Sequence, residues 1–241
     1  MSQRTLIGKY RRTSILSSAL HFWDSDNVII DGDFITATDI GSVGGLDLTN
    51  PTLANKPTYS ASSANFNGKP SLTFDGTNDY LYRSTSGFRE SDQSGVFINV
   101  FRYLAISNVA YFSVGKDGDN LDNLILRANF TITLTSPSAN LISHSIGITT
   151  IPYVVTQYST GNAYKTYLNS TLITPTTVTI GADNGNWLGD FTGSNNISIG
   201  ARIAGVNSYA NMEWVMSGYY PYSDEATIES IIDNLKIKYG I

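Results

Sequence analysis

The chain has 241 residues, enough for one large all-β domain with a sizeable core or for two small domains. Charged residues make up 15% and aromatics 12%, with 15 tyrosines; a charged fraction below the usual ~25%, with this many aromatics, excludes an acidic disordered protein. Cysteine is absent, which excludes a disulfide framework and a thiolate metal site, and no apolar run approaches the ~20 residues that span a bilayer.

The first twenty residues, MSQRTLIGKYRRTSILSSAL, hold Arg4, Lys9, Arg11 and Arg12 and no acid. Since the whole chain has a formal net charge of −5, the remainder carries −9. Residues 1–20 therefore read as a basic arm ahead of an acidic body, either a solvated tail or a docking peptide for an acidic protein partner. Four charges beside an acidic body make a poor nucleic-acid footprint. The arm has no uninterrupted apolar stretch of ~7–15 residues, so it does not read as a secretory signal and synthesis in a cytoplasm is expected.

After the arm, short β-rich runs alternate with turn signals. NVII (27–30) and FITAT (34–38) flank DGD, and SLTF (71–74) and YLYR (80–83) flank a compressed polar turn. VFINVFRYLA (96–105) alternates Phe97, Asn99, Phe101 and Tyr103 with Val96, Ile98, Val100 and Arg102, a long strand with both faces covered. Further strands are expected over 108–115, 123–127, 129–135, 151–159, 163–169, 177–181, 197–202 and 213–220. The spacing and the β-branched and aromatic content predict an all-β, two-sheet sandwich or a barrel. Residues 39–66 and 181–196, rich in Gly, Asn and Ser, read as long surface connections.

One helix is expected, over 223–241. Ile228, Ile231, Ile232 and Leu235 form one apolar stripe, Ser223 can cap its start, and Gly240 can stop it. The stripe is expected to pack on the rim of the sandwich. No composition shift marks a second folded domain, so the domains are the arm (1–20) and one sandwich (21–241).

Catalytic patterns are sparse. The four glutamates, Glu90, Glu213, Glu225 and Glu229, do not form a Glu-x-Asp-x-Glu set, and of these Glu213 is the one to test. His21 and His144 have no zinc-site spacing, and no nucleophile elbow or phosphate loop occurs. The chain is therefore expected not to be an enzyme. No cofactor is required by any motif. Asp117 and Asp119 in DGDNLD offer oxygen donors that could suit calcium, although the loop lacks an EF-hand Gly and Glu; a polar hairpin turn is the alternative.

Ligand-binding candidates are aromatics stranded in polar loops. In NGNWLGDF (184–191), Trp187 stands with Asn184, Asn186 and Asp190, although the indole can instead fold into the core. Tyr209 and the run YYPY (219–222) are weaker candidates.

FWDSDNVIIDG (22–32), NKPTY (55–59), NGKPSLTFDGTNDYL (67–81), YLNSTLI (167–173), NNISIGAR (195–202) and YYPYSDEATIESIIDNLKIKYGI (219–241) occur in an order that resembles the concanavalin A-like lectin/glucanase superfamily, in its laminin-G-like (LamG) jelly-roll branch. The resemblance covers roughly residues 20–241. It implies two antiparallel sheets packed face to face, with Asp75-Gly76 forming a turn between strands and Asp75 and Asp79 serving the bend. Such domains recur in bacteriophage virion and bacterial surface proteins. The resemblance therefore suggests a virion component (a decoration, fibre or tail-associated protein) that docks to other virion proteins through its arm, forms a homo-oligomer and meets host glycans with the jelly roll. A free bacterial carbohydrate-binding or adhesion module, at the cell surface or outside it, is the alternative.

Overall fold

In a computed structural model, the described residues are 18–86, 88–105, 109–116, 123–127, 131–134, 140–143, 149–174, 177–190, 193–202 and 208–241. Their strands in chain order are β1 (His21–Asp31), β2 (Phe34–Asp39), β3 (Leu48–Thr49), β4 (Thr58–Ser63), β5 (Lys69–Asp75) and β6 (Leu81–Ser84). There follow β7 (Gly95–Tyr103), β8 (Ala110–Gly115), β9 (Asn123–Arg127), β10 (Thr131–Leu134), β11 (Asn140–Ser143) and β12 (Tyr153–Ser159). The series ends with β13 (Tyr164–Leu168), β14 (Thr171–Leu172), β15 (Thr177–Ile180), β16 (Asn196–Ile199) and β17 (Asn211–Tyr220), before helix α1 (Glu225–Tyr239).

Among the described residues all pairings are antiparallel, and they form two sheets packed as a sandwich. The back sheet runs β4–β5–β17–β7–β12–β13–β14. The front sheet runs β2–β3–β6–β16–β8–β9–β10–β11–β15. Strand β1 joins them: His21 to Asp24 pair with β17, and after an irregularity Val28 to Asp31 pair with β2.

Strand β7 shows how the layers are specified. Phe97, Phe101 and Tyr103 enter the core between the sheets, while Val96, Ile98 and Val100 enter a second core on the opposite face. Helix α1 closes that second core with Ile228, Ile231, Ile232, Leu235 and Tyr239. The helix thus covers the outer face of the back sheet rather than the rim, because Val96, Ile98, Val154, Val215 and Met216 make that face apolar. Its N-cap is Asp224, whose side chain accepts the Thr227 N–H at 2.8 Å, and not Ser223. Gly240 ends it at φ 72°. Lys238 near its end reaches Asp24 and Asp26 of β1, each at 3.1 Å.

The first of the two expected surface connections is structured. Residues 39–66 contain β3 and β4, and their start is gathered by the buried Asp39 carboxylate. It accepts the backbone N–H of Phe22 (2.9 Å), Gly41 (3.1 Å) and Leu46 (3.2 Å) and pairs with His21 Nδ1 (2.7 Å). The FDGTNDY turn forms as expected. Asp75 Oδ1 accepts the N–H of Thr77 at 2.8 Å and of Asn78 at 3.2 Å, and Gly76 has φ 78°.

Candidate functional site

The 184–190 loop is a plug. Trp187 is fully buried, its ring 5.8 Å from Phe97, and its Nε1 donates to Tyr219 Oη at 3.3 Å. Leu188 is buried beside it. Asp190 accepts the Trp187 N–H at 2.7 Å, Asn184 accepts the Asn186 N–H at 3.2 Å, and Tyr164 Oη donates to the Asn186 carbonyl at 2.7 Å. A large apolar ring whose one polar group finds a partner inside is more stable buried than exposed. Trp187 is therefore a core residue and not a stacking platform, and Asn186 and Asp190 shape the turn that inserts it.

Asp117, Asp119, Arg4, Lys9, Arg11 and Arg12 lie outside the described residues. Among the described residues, no group of three or more His, Asp and Glu is placed to hold a metal.

Glu213 is an ion-paired anion. Arg102 Nε donates to it at 2.6 Å, Ser71 Oγ at 2.9 Å and Asn65 Nδ2 at 3.2 Å. Burial alone would raise its pKa, but the Ser63 hydroxyl, the Arg102 guanidinium and the Ser71 hydroxyl together hold it below the ordinary carboxylate value. That is the opposite of what a general acid needs.

An open cleft of about 490 Å³ is lined by His21, Leu46, Phe88, Arg89 and Glu90, among others. Its charged groups are already engaged. His21 is held by Asp39, Arg89 donates twice to Asp92 (2.7 and 2.9 Å), and Glu90 accepts from the Ser194 N–H (2.8 Å) and Oγ (3.1 Å).

The outer face of the front sheet differs. Leu81, Leu124, Leu126, Ile197 and Ile199 face the inter-sheet core, so strand alternation turns Tyr82, Ile125, Arg127 and Ser198 outward. One rung reads Thr49, Tyr82, Ser198, Ser113 and Ile125 across β3, β6, β16, β8 and β9. Ser113, Ser198 and Ile125 are fully buried, so the middle of this face is covered, whereas Tyr82 at its side is half-buried. Tyr80, which follows the FDGTND turn, lies 5.8 Å from the Tyr82 ring and 6.2 Å from Tyr209. Tyr209 therefore belongs to a three-tyrosine cluster at one side of this face, and all three rings are half-buried. Sequence reading singled out Tyr209 but missed Tyr80 and Tyr82, although the latter two alternate around core-facing Leu81.

No family model matches the chain, and no curated protein matches its sequence. Solved structures match in fold. Domain 4 of AbnA, a GH43 extracellular arabinanase from Geobacillus stearothermophilus solved with arabinotriose, aligns with a TM-score of 0.63 at 12% identity, covering 90% of this chain and 98% of that one. The CBM40 of the Ruminococcus gnavus IT-sialidase aligns at 0.53 and 13% identity, over 67% of this chain and 96% of that one. Trypanosoma rangeli sialidase with 2,3-difluorosialic acid aligns at 0.57 and 11% identity over 97% of this chain, which matches 38% of the sialidase chain. At these identities the likeness is one of fold.

Proposed function

We propose that the chain is a non-enzymatic carbohydrate-binding sandwich whose ligand lies against the tyrosine cluster at the side of the front sheet. One observation carries the reading: α1 closes the back sheet's outer face, while the front sheet presents the half-buried Tyr80, Tyr82 and Tyr209 cluster. Among the described residues the Tyr82 hydroxyl has no protein partner. Sugar rings offer C–H faces to aromatic rings, and their hydroxyls take polar partners of this kind. The fold shared with an arabinanase domain solved with arabinotriose and with a sialidase CBM40 supports the same reading. Ion-paired Glu213 supports the non-enzymatic part. A glycan array followed by calorimetry on the isolated chain tests it. Tyr82→Ala and Tyr209→Ala should each weaken the best ligand roughly 3–10-fold. A wild-type chain that binds no glycan, or two variants that bind as it does, would sink the proposal.

We further infer that the domain is displayed on a bacteriophage virion, with the arm as its anchor and the sandwich outward. The support is the basic set Arg4, Lys9, Arg11 and Arg12 ahead of an acidic body, with the LamG-like resemblance. Deleting residues 1–18 should abolish incorporation into particles and leave the thermal melt intact. A truncated protein that still assembles sends the reading back to a free adhesion module.

A further inference from the structure

Strand β1 has one edge that the sandwich leaves open. Strand β2 lies along one side of β1, and β17 takes the other side only from His21 to Asp24. From Val28 to Asp31 that second side meets no strand among the described residues. The backbone N–H and C=O groups that alternate outward along it have no protein partner there. The edge is apolar as well as open: Ile29 is 59% exposed, Ile30 50% and Phe34, across the hairpin, 47%. Such an edge is a template for one more strand.

Charge identifies what covers it. Asp31 and Asp33 stand exposed at the hairpin tip, with no ion-pair partner among the described residues. Lys56, the cation beside them, spends its Nζ on the Gly32 carbonyl at 2.6 Å. The sequence holds a matching segment in RTLIGKYRR (4–12), in which Thr5, Ile7 and Tyr10 favour a strand and Lys9, Arg11 and Arg12 gather cations at one end. It contains no acid to repel the tip and no proline to block edge pairing. The same chain cannot make this match. Arg12 is six residues from Ser18, a reach of at most about 22 Å. Asp31 ends β1, an 11-residue strand that carries it roughly 30 Å beyond His21. A neighbouring copy has no such tether.

We propose that the open edge of β1, from Val28 to Asp31, docks residues 4–12 of a second copy of this chain as an added strand, with Lys9, Arg11 and Arg12 at the acidic tip. Backbone hydrogen bonds along the edge supply affinity, and the charges set direction and register. Each copy carries both an arm and an edge, so association is either reciprocal or head to tail. The inference rests on neither part of the proposed function, because both surfaces belong to this chain and no glycan or particle takes part.

The test is sedimentation of the full chain, with amide hydrogen exchange on the same samples. Wild type should self-associate at low salt and dissociate as salt rises, because the tip charges are open to screening. Amides within Val28–Asp31 should exchange more slowly in the associated form. Two full-length variants, Asp31→Lys with Asp33→Lys and Arg11→Glu with Arg12→Glu, should each self-associate about tenfold or more weakly than wild type. Mixed together they should associate again, because each arm then meets an edge of opposite charge. A wild type that stays monomeric at low salt overturns the proposal, and slow Val28–Asp31 amides in that monomer would show the arm lying on its own chain. Association that leaves these amides fast places the contact elsewhere and overturns it too. So does a mixture that stays apart although each variant alone melts cooperatively.

Discussion

Asp75 and Asp79 cap each other across the β5–β6 turn: Asp79 Oδ2 accepts the Asp75 N–H at 3.0 Å, and Asp75 Oδ1 accepts the Asp79 N–H at 3.4 Å. Their environments drive them apart in acidity. Burial pushes Asp79 up to about 6; the Asp75 amide opposes this and the Asp75 charge adds to it. Asp75 has its smaller burial outweighed by the amides of Thr77, Asn78 and Asp79, and it titrates below the ordinary value of 3.8.

A pH signature follows from that pair. The folded state holds the Asp79 proton more tightly than the unfolded chain, so this contribution to stability is full below 3.8 and is lost as pH rises through about 6. The Asp75 contribution has the opposite sign, being present above 3.8 and lost as pH falls through its lowered folded value. Between pH 4.5 and 7 the urea midpoint of wild type should therefore carry a downward component that Asp79→Asn removes. Identical slopes for the two proteins would contradict this.

Trp187→Ala should cost about 3–5 kcal/mol of stability, as expected for deleting a fully enclosed indole. Gly95→Ala should act on the same cluster, because a Cβ there overlaps Tyr219 Oη and crowds Trp187 Nε1. Denaturant titration measures both. A Trp187→Ala protein of native stability that lost glycan affinity would return the indole to the binding surface.

Helix α1 offers a sharp comparison between neighbours. Asp224→Ala should lower the thermal melt, because it removes the acceptor for the Thr227 N–H, whereas Ser223→Ala should leave the melt unchanged. Equal effects would mean that the cap is shared.

Glu213→Gln should cost about 2 kcal/mol by removing the charge opposite Arg102, a loss typical of a charge-assisted hydrogen bond. A glycosidase assay on the same variant is the control. If wild type cleaves a glycan and the variant does not, Glu213 acts in catalysis and the non-enzymatic reading falls.

The sandwich was legible in the sequence where side-chain chemistry alternates strongly. VFINVFRY announces a strand with two apolar neighbours, and the helix stripe announces its buried face. Strand β4 was missed because TYSASS carries almost no aliphatic signal; backbone pairing with β5 makes it a strand. The start of β1 was hidden by His21, Asp24 and Ser25, which are buried with partners drawn from Asp39, Lys238 and Pro70. Trp187 could be read either as a stacking platform or as a core residue because its sequence neighbours are polar, and those neighbours fold it inward.

Strand β17 sits at the middle of the back sheet, bounded by β1 and β5 on one edge and by β7 on the other. A ribosome making this chain delivers β1, β5 and β7 long before the strand that unites them. Until Tyr220 emerges, each waits with an edge unsatisfied, and its closing partner is a distant segment rather than a neighbour in sequence. Folding of this kind is slow and exposes apolar edges on the way. A nascent chain that ends before Asn211 therefore lacks the strand on which β1, β5 and β7 close.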